Sequence, residues 1–333
     1  MPDAALLGLL LVFALALLFD FINGFHDAAN AIATVISTRV LAPRTAILMA
    51  GVLNFTGALS GTAVAKTVGA GIAQPESVTQ VTIGAALLGA IIWNLLTWYL
   101  GIPSSSSHAL IAGVVGAALA TGGPGVLIWS GLEKVLLALL ISPLLGFVLG
   151  LALMVGLLWA FRRTTPAAVG GIFRHLQILS AAFMAFSHGS NDAQKTMGIM
   201  TMALVVYGVL PDFHVPIWVM VLAAISMGLG TAVGGWRIIR TLGHKLVALQ
   251  PIHGFAAETA AASVIEVASR LGFPLSTTHV ISATIMGVGA SKRFSAVRWG
   301  LAGNIVAAWV LTLPACAFMG WLFVLLYRLI SRT

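Results

Sequence analysis

Long stretches of apolar residues dominate the chain, and few polar positions interrupt them. About 20 apolar residues cross a bilayer as one helix, so each of these stretches is long enough for a transmembrane helix. The pattern predicts an all-α polytopic membrane protein of about ten to twelve transmembrane helices. Residues 1–38 exceed one straight span, so we expect some broken or re-entrant segments. Four stretches contain no Asp, Glu, Lys or Arg: residues 77–132, 135–161, 213–236 and 299–327.

The composition agrees with a membrane protein and excludes several other classes. Of 333 residues, 59% are hydrophobic and 8% are charged, whereas soluble domains have about 25% charged residues. These values exclude a soluble enzyme, a nucleic-acid-binding domain and a disordered chain. The formal net charge of +8 is therefore assigned to cytoplasmic loops, where membrane proteins retain Lys and Arg. We expect a multi-pass protein of the cell membrane that contacts lipid and no nucleic acid.

The two halves of the chain repeat the same motifs in the same order. The separation between matching segments drifts only from 165 to 171 residues, and one tetrapeptide, Gly-Thr-Ala-Val, is identical in both copies. The sequence therefore predicts a first transmembrane repeat at residues 1–161, a cytoplasmic linker at 162–174 and a second repeat at 175–333. The matching pairs are residues 24–28 with 189–193, 61–64 with 230–233, and 103–108 with 274–279.

The basic loops indicate that the second repeat is inverted relative to the first. The loop that contains Arg39 and Arg44 corresponds to residues 204–208, which contain no basic residue. Conversely, the basic segment 237–245 corresponds to residues 68–76, which are also free of Lys and Arg. Because basic loops face the cytoplasm, this alternation is expected of inverted-topology repeats. We predict about five crossings in each repeat, with both termini outside the cell.

Two aspartates are the leading candidates for a functional site within the membrane. Asp27 and Asp192 occupy equivalent positions in the repeat, and each follows a glycine, Gly24 or Gly189. Ionisable groups within a bilayer are costly and usually functional. The glycines predict an interrupted helix whose free backbone groups bind an ion, and the alternative is that each aspartate caps a half-helix. His26 adjoins Asp27 and is the candidate for proton handling near neutral pH.

Duplicated hydroxyl runs form the second candidate constellation. Residues 103–108 and 274–279 each place a proline before Ser or Thr and end in a histidine, a pattern that predicts a helix start. Helix N-termini attract anions, so two such starts from inverted halves could converge on one tetrahedral oxyanion. Lys195 either offsets carboxylate charge, contacts the anion or reaches an interface. The hydroxyl candidates are Ser105, Ser106, Ser107, Ser276, Thr277 and Thr278.

These motifs resemble those of the inorganic phosphate transporter (PiT) family, in particular its bacterial low-affinity permease branch. The family has duplicated Gly-x-Asn-Asp-x-x-Asn signatures, which correspond here to residues 24–30 and 189–195, and duplicated Pro-x-Ser-Ser/Thr-Ser/Thr-His runs. The resemblance implies a transporter without catalytic residues or a cofactor, which takes up phosphate by ion-coupled alternating access. It also implies that the hydroxyl runs, with Asn30, Asn191 and Lys195, lie near phosphate. Asp27 and Asp192 would contact the coupling cation.

The first signature contains His26 where the family has asparagine, and the second ends in Lys195 instead of asparagine. Both departures resemble the bacterial branch, which is associated with proton coupling and with neutral metal-phosphate complexes. The resemblance therefore favours proton symport, with sodium symport as the alternative. Sulfate transport, carriage of a divalent metal together with phosphate, and a homodimer remain open. An intramembrane aspartyl protease is disfavoured because neither aspartate lies in a Gly-x-Gly-Asp context.

Overall fold

Residues 4–331 fold into twelve α-helices joined by short loops. A computed structural model describes residues 4–331, and this part of the chain contains no β-strand. The helices, numbered in chain order, are α1 (Ala4–Ser37), α2 (Pro43–Ala58), α3 (Ala63–Ala70), α4 (Gln80–Leu100), α5 (Ser106–Gly122), α6 (Trp129–Ala160), α7 (Pro166–Tyr207), α8 (Ile217–Val233), α9 (Trp236–Arg240), α10 (Pro251–Arg270), α11 (Thr277–Lys292) and α12 (Trp299–Ile330).

Helix length and hydropathy identify the membrane spans. Five helices within residues 4–331 are long and apolar enough to cross a bilayer, and two bent helix pairs raise this number to seven. The five are α1, α4, α6, α7 and α12. The all-α polytopic architecture predicted from the sequence is confirmed. The shorter helices α5 and α11 begin at the two hydroxyl runs, as predicted, and the predicted linker 162–174 covers the α6–α7 turn and the start of α7.

Both signature segments lie in continuous helices, so the predicted interruption near the aspartates is wrong. α1 runs unbroken from Ala4 to Ser37, so the prediction of extra half-helices at the N-terminus is also wrong. The glycines serve close helix packing instead of breaking the helix. A β-carbon at Gly24 would lie 2.5 Å from the carbonyl oxygen of Met227, and one at Gly189 would lie 2.2 Å from that of Asn54.

The expected broken segments occur at the repeated Gly-Thr-Ala-Val tetrapeptide. α2 and α3 meet at an angle of 71°, and α8 meets the segment Trp236–Leu246 at 57°. The first bend directly precedes Ala63, and the second directly follows Val233, where Gly234 adopts a left-handed φ of 79°. The bends therefore lie at opposite ends of the repeated tetrapeptide, at nearby but not identical places in the two repeats.

The helices of the two repeats pack in reciprocal pairs. α1 packs against α8 while α7, its counterpart, packs against α2. In the same way α6 packs against α11, and α12 packs against α5. Each repeat thus completes the other, and the two helices that start at the hydroxyl runs each lie against the last helix of the opposite repeat. This reciprocal arrangement is the one expected for inverted repeats.

The loops gather at two opposite ends of the bundle. At one end, which we call the basic face, Thr241 donates to the carbonyl of Gly101 over 2.9 Å, and Arg162 and Lys292 line a common cavity. At the other end, the neutral face, the backbone N–H of Gln74 donates to the carbonyl of Val126 over 3.0 Å. This separation of basic loops from neutral loops agrees with the alternation of basic loops along the sequence.

Small residues at the α5–α12 contact are expected to be essential for stability. A β-carbon at Gly116 would lie 1.8 Å from the carbonyl oxygen of Ala317, so Gly116→Ala must push the two helices apart. Overpacking of this kind costs about 1–3 kcal/mol, which lowers the midpoint of thermal unfolding in detergent. Gly156→Ala on α6 is the matched control, because no described atom lies within 4 Å of its added β-carbon. Equal midpoints for the two variants would contradict this packing.

Candidate functional site

Asp27 on α1 is the centre of the first half of the site. It is 2% exposed, and Oδ1 lies 2.7 Å from His26 Nδ1. Thr278 Oγ1 donates to the same oxygen over 3.2 Å, and Ser106 Oγ donates to Oδ2 over 3.2 Å. One hydroxyl therefore comes from each of the two repeated runs. The starts of the two runs therefore meet at this acid, and their convergence on a tetrahedral oxyanion stays a prediction.

His26 links this carboxylate to the start of the first hydroxyl run. Its Nε2 lies 3.1 Å from Thr97 Oγ1 and 3.5 Å from Ser104 Oγ, and Ser104 in turn donates to Thr97 over 2.8 Å. Neither Thr97 nor Ser104 was predicted as a site residue. These hydroxyls hold the imidazole between the loop and Asp27.

Asp192 on α7 is the corresponding acid of the second half, and it is fully buried. The ammonium of Lys195, one helical turn further, donates to Oδ1. Thr277 Oγ1 donates to Oδ2 over 3.0 Å, and His188 Nε2 lies 3.2 Å from the same oxygen. His188 lies four residues before Asp192 on one helix face, a spacing that predicts contact. His188 is nevertheless a site neighbour to which the sequence motifs assigned no role.

Lys195 also joins the two hydroxyl runs to each other. Besides Asp192, its ammonium donates to Ser107 Oγ and to the carbonyl of Leu275, the latter over 2.7 Å. Ser107 Oγ itself donates to the carbonyl of Leu275 over 2.9 Å. Since Lys195 is 1% exposed, it does not reach an interface. Of the three roles considered for this lysine, charge compensation and anion contact are compatible with its position.

The six predicted hydroxyls divide into two groups. Ser105 and Ser276 are N-caps, which accept hydrogen bonds from the backbone N–H groups of His108 over 3.1 Å and of His279 over 3.2 Å. A side-chain cap of this kind satisfies one of the free N–H groups at a helix start. The remaining four side chains contact the carboxylates or the lysine: Ser106, Ser107, Thr277 and Thr278.

The two asparagines of the signatures have different surroundings. Asn30 Nδ2 donates to Thr278 Oγ1 over 2.9 Å and to Thr277 Oγ1 over 3.3 Å, so it lies within the site. Asn191 Nδ2 instead donates to Ser269 Oγ over 2.8 Å and to the carbonyl of Phe273. The structure thus places Asn191 beside the end of α10 and the residue that precedes the second hydroxyl run, with no hydrogen bond from its amide to the hydroxyls of that run. The carbonyl oxygens of both amides have no partner among the described residues.

Comparison with known proteins decides the family of this chain. The sequence model described as "Phosphate transporter family" matches residues 23–320, which includes both signatures and both hydroxyl runs. The chain belongs to the phosphate transporter family. The members of this family are transporters, so the prediction that the chain is not an enzyme is confirmed.

Individual members of the family align with this chain over almost their full length. A "probable low-affinity inorganic phosphate transporter" of Rhizobium meliloti is 53% identical over 321 residues, covering 95% of this chain and 96% of that protein. One of Bacillus subtilis is 47% identical over 321 residues, covering 96% of each. A solved structure described as "The sodium-dependent phosphate transporter" superposes with a TM-score of 0.87 at 25% identity, covering 97% of this chain and 99% of that one.

Three side chains at the junction of the two repeats can bind one cation jointly. One ligand atom each from Asp27, His188 and Asp192 lies within 4.8 Å of the other two, and all three residues are buried. Carboxylate oxygens and an imidazole nitrogen suit a divalent transition metal or zinc, whereas sodium and magnesium prefer oxygen alone. The geometry therefore allows a cation between the two signature helices, beside the hydroxyls.

The charges of the site are unbalanced towards the acids. The formal charges of Asp27, Asp192 and Lys195, with histidine counted as neutral, sum to about −1 in a buried space. Coulomb repulsion between this charge and a phosphate anion is strong where water is excluded. The formal charge of the site therefore opposes the entry of a free anion.

His108 and His279 pack behind the site. Their ring centroids are 4.4 Å apart, and His279 stacks on Trp309 at 3.9 Å. Trp309 Nε1 donates to the carbonyl of Pro103 over 3.0 Å, which ties α12 to the first hydroxyl run. The two histidines thus close the motifs as packing partners at the pseudo-twofold axis.

Proposed function

We propose that this protein is a secondary active transporter that carries inorganic phosphate in symport with protons by alternating access. One observation supports this proposal above the others: Thr278 from the second repeat and Ser106 from the first donate to the same carboxylate, Asp27. A site built equally from two inverted repeats can open to either face when one repeat rocks against the other. Phosphate is the substrate named for the relatives.

Phosphate would bind where the starts of α5 and α11 meet. Ser106, Thr277 and Thr278 can turn their hydroxyl protons from the carboxylates to phosphate oxygens, and Ser107 can do so from the carbonyl of Leu275. The helix N-termini add their positive dipole ends. The ammonium of Lys195, already beside Ser107, supplies the positive charge at this place. Sulfate has the same shape, so competition between the two anions is the measurement of substrate choice.

The residues beside the two carboxylates favour protons as the coupling ions. His26 contacts Asp27, and Lys195 contacts Asp192, so each carboxylate has a nitrogen neighbour where the family has asparagine. Lys195 occupies the position of an amide ligand with a fixed positive charge, which opposes binding of a sodium ion beside Asp192. Sodium coupling is the second candidate, because the superposed transporter is described as sodium-dependent.

A divalent metal can travel with phosphate as part of the substrate. The three groups of Asp27, His188 and Asp192 lie within reach of a single ion next to the hydroxyls. A neutral complex of a divalent metal with hydrogen phosphate removes the repulsion that a free dianion meets there. Uptake with and without added divalent metal, at constant phosphate, distinguishes the free anion from the complex.

Proteoliposomes containing the purified protein test the proposal. We expect radiolabelled phosphate to accumulate when the proton gradient is directed inward, with no sodium present, and to stop when an ionophore dissipates that gradient. Sulfate in excess should not prevent accumulation. Uptake that requires sodium and does not depend on the proton gradient would refute proton coupling and support sodium coupling. Sulfate uptake that phosphate does not inhibit would refute phosphate as the substrate.

The orientation follows from the basic face, which we place in the cytoplasm because Lys and Arg are retained there. Both termini would then lie outside the cell. Because the single cysteine, Cys316, is buried, new cysteines can be labelled in the wild-type background. A membrane-impermeant maleimide added to intact cells is expected to label Gly125→Cys at the neutral face. Arg163→Cys at the basic face should react only after permeabilisation, and the opposite result would reverse the orientation.

A further inference from the structure

Two buried acids lie on either side of the phosphate site, and substrate binding uses neither of them. Asp20 on α1 and Glu258 on α10 are both 0% exposed. Asp20 precedes Asp27 by seven residues, and Thr34, the α1 residue that contacts Glu258, follows Asp27 by seven. With a rise of 1.5 Å per residue, both places are about 10 Å from Asp27 along the helix, in opposite directions.

Asp20 lies between the site and the neutral face. Its Oδ1 accepts a hydrogen bond from Thr196 Oγ1 over 2.8 Å, and its Oδ2 has no partner among residues 4–331. The charged groups that interact electrostatically with the Asp20 carboxyl are Asp192 and Lys195 of α7. The other helices packed on this part of α1, α4 and α8, have no charged side chain. A carboxyl group with one unpaired oxygen in such surroundings is suited to take up and release a proton.

Glu258 lies between the site and the basic face. It accepts hydrogen bonds from Thr34 of α1 and from Ser180 and Gln177 of α7, the last over 3.3 Å. The side chains that interact with the Glu258 carboxyl are these three neutral hydrogen-bond donors. Thr38 Oγ1 donates to Gln177 Oε1 over 2.9 Å, so polar side chains continue from Glu258 towards the basic loops.

The repeat symmetry separates these acids from the machinery that binds phosphate. The positions that correspond to them in the opposite repeats are Ala185 for Asp20 and Leu87 for Glu258, and both are buried and apolar. The site acids Asp27 and Asp192 form a duplicated pair, whereas Asp20 and Glu258 each occur once. Residues that break the symmetry suit a task with a direction, such as admitting a proton at one face and releasing it at the other.

We propose that Asp20 and Glu258 are the proton-carrying residues of the transporter on the neutral-face and basic-face sides of the phosphate site. This inference rests on the proposed proton symport. Asp20 takes up a proton from water when the site is open to the neutral face and yields it to water within the site. Glu258 accepts a proton from that water after the site opens to the basic face and releases it there. Each acid returns to its starting state, and one proton crosses with the substrate.

Two transport measurements in proteoliposomes separate this role from a role in binding phosphate. Accumulation driven by an imposed proton gradient requires that protons cross. Exchange of internal for external phosphate at equal pH requires only that the loaded transporter reorients. We expect Asp20→Asn and Glu258→Gln to reduce proton-driven accumulation at least about tenfold, while exchange continues at the wild-type rate. The matched controls are Asp212→Asn in an exposed loop and Glu266→Gln on α10, which pairs with Arg270.

Loss of accumulation and exchange together, in variants that elute as folded protein, would overturn the inference, and so would undiminished accumulation. If either amide variant does not fold, Asp20→Glu and Glu258→Asp decide, because they keep the carboxyl group but displace it. These variants should slow accumulation more than exchange, and an equal effect on both would contradict the proton role. Failure of the wild-type protein to accumulate phosphate on a proton gradient would instead refute the proposed function itself.

Discussion

Asp27→Asn is expected to reduce proton-driven phosphate accumulation by about 100-fold or more, since loss of a buried hydrogen-bonded charge costs about 3 kcal/mol or above. The amide has the shape of the carboxylate but no charge. Its NH₂ group replaces one of the two carboxylate oxygens and cannot accept a hydrogen bond, so either Ser106 or Thr278 loses its acceptor and this half of the junction is disturbed. Initial rates of radiolabelled phosphate uptake into proteoliposomes provide the measurement.

Two comparisons make the Asp27 prediction specific. Asp212→Asn changes the net charge by the same amount in an exposed loop and should accumulate phosphate at the wild-type rate. Asp192→Asn should lose accumulation as Asp27→Asn does, because the repeat gives both acids equivalent positions. Retention of more than about a tenth of wild-type accumulation by Asp27→Asn would contradict its place at the centre of the site.

Lys195→Met is expected to remove both phosphate uptake and part of the stability of the protein. The substitution leaves Asp192 buried without its ammonium partner, and breaking one partner of a buried pair costs about 3–5 kcal/mol. Ser107 and the carbonyl of Leu275 lose their donor as well. We expect a lower midpoint of thermal unfolding in detergent, together with loss of uptake.

A double variant distinguishes the two effects of Lys195. Lys195→Met combined with Asp192→Asn removes both charges, so stability should recover in large part while uptake stays absent. Lys66→Met, at an exposed position on α3, should change neither quantity. A stable and inactive Lys195→Met protein would show that Lys195 acts on the anion alone, and a stable and active one would contradict its place in the site.

Much of the fold follows from local rules that the sequence shows directly. The apolar stretches require membrane helices, and the Pro-Ser runs predict the starts of α5 and α11, where Ser105 and Ser276 are the caps. Motif order identifies two repeats, and the basic loops indicate their inversion. Each of these inferences depends on neighbours in sequence or on counting charges, so no tertiary contact had to be known.

The errors arise where a tertiary neighbour determines what a residue does. Gly24 and Gly189 resemble helix breaks, yet each permits a close approach of another helix backbone. Asn191 stays a predicted substrate ligand, and its contacts with Ser269 and the carbonyl of Phe273 could not be read from the motif. The contact of His188 with Asp192 was available from the four-residue spacing and was missed because the histidine lies outside the signature.

The central claim, that phosphate binds at the junction between the two inverted repeats, is tested most directly by an experimental structure of the protein determined with phosphate. We expect tetrahedral density within hydrogen-bond distance of at least one hydroxyl from each run, Ser106 or Ser107 and Thr277 or Thr278, with Lys195 beside it. Density bound by a single repeat, or located away from both hydroxyl runs, would contradict this claim.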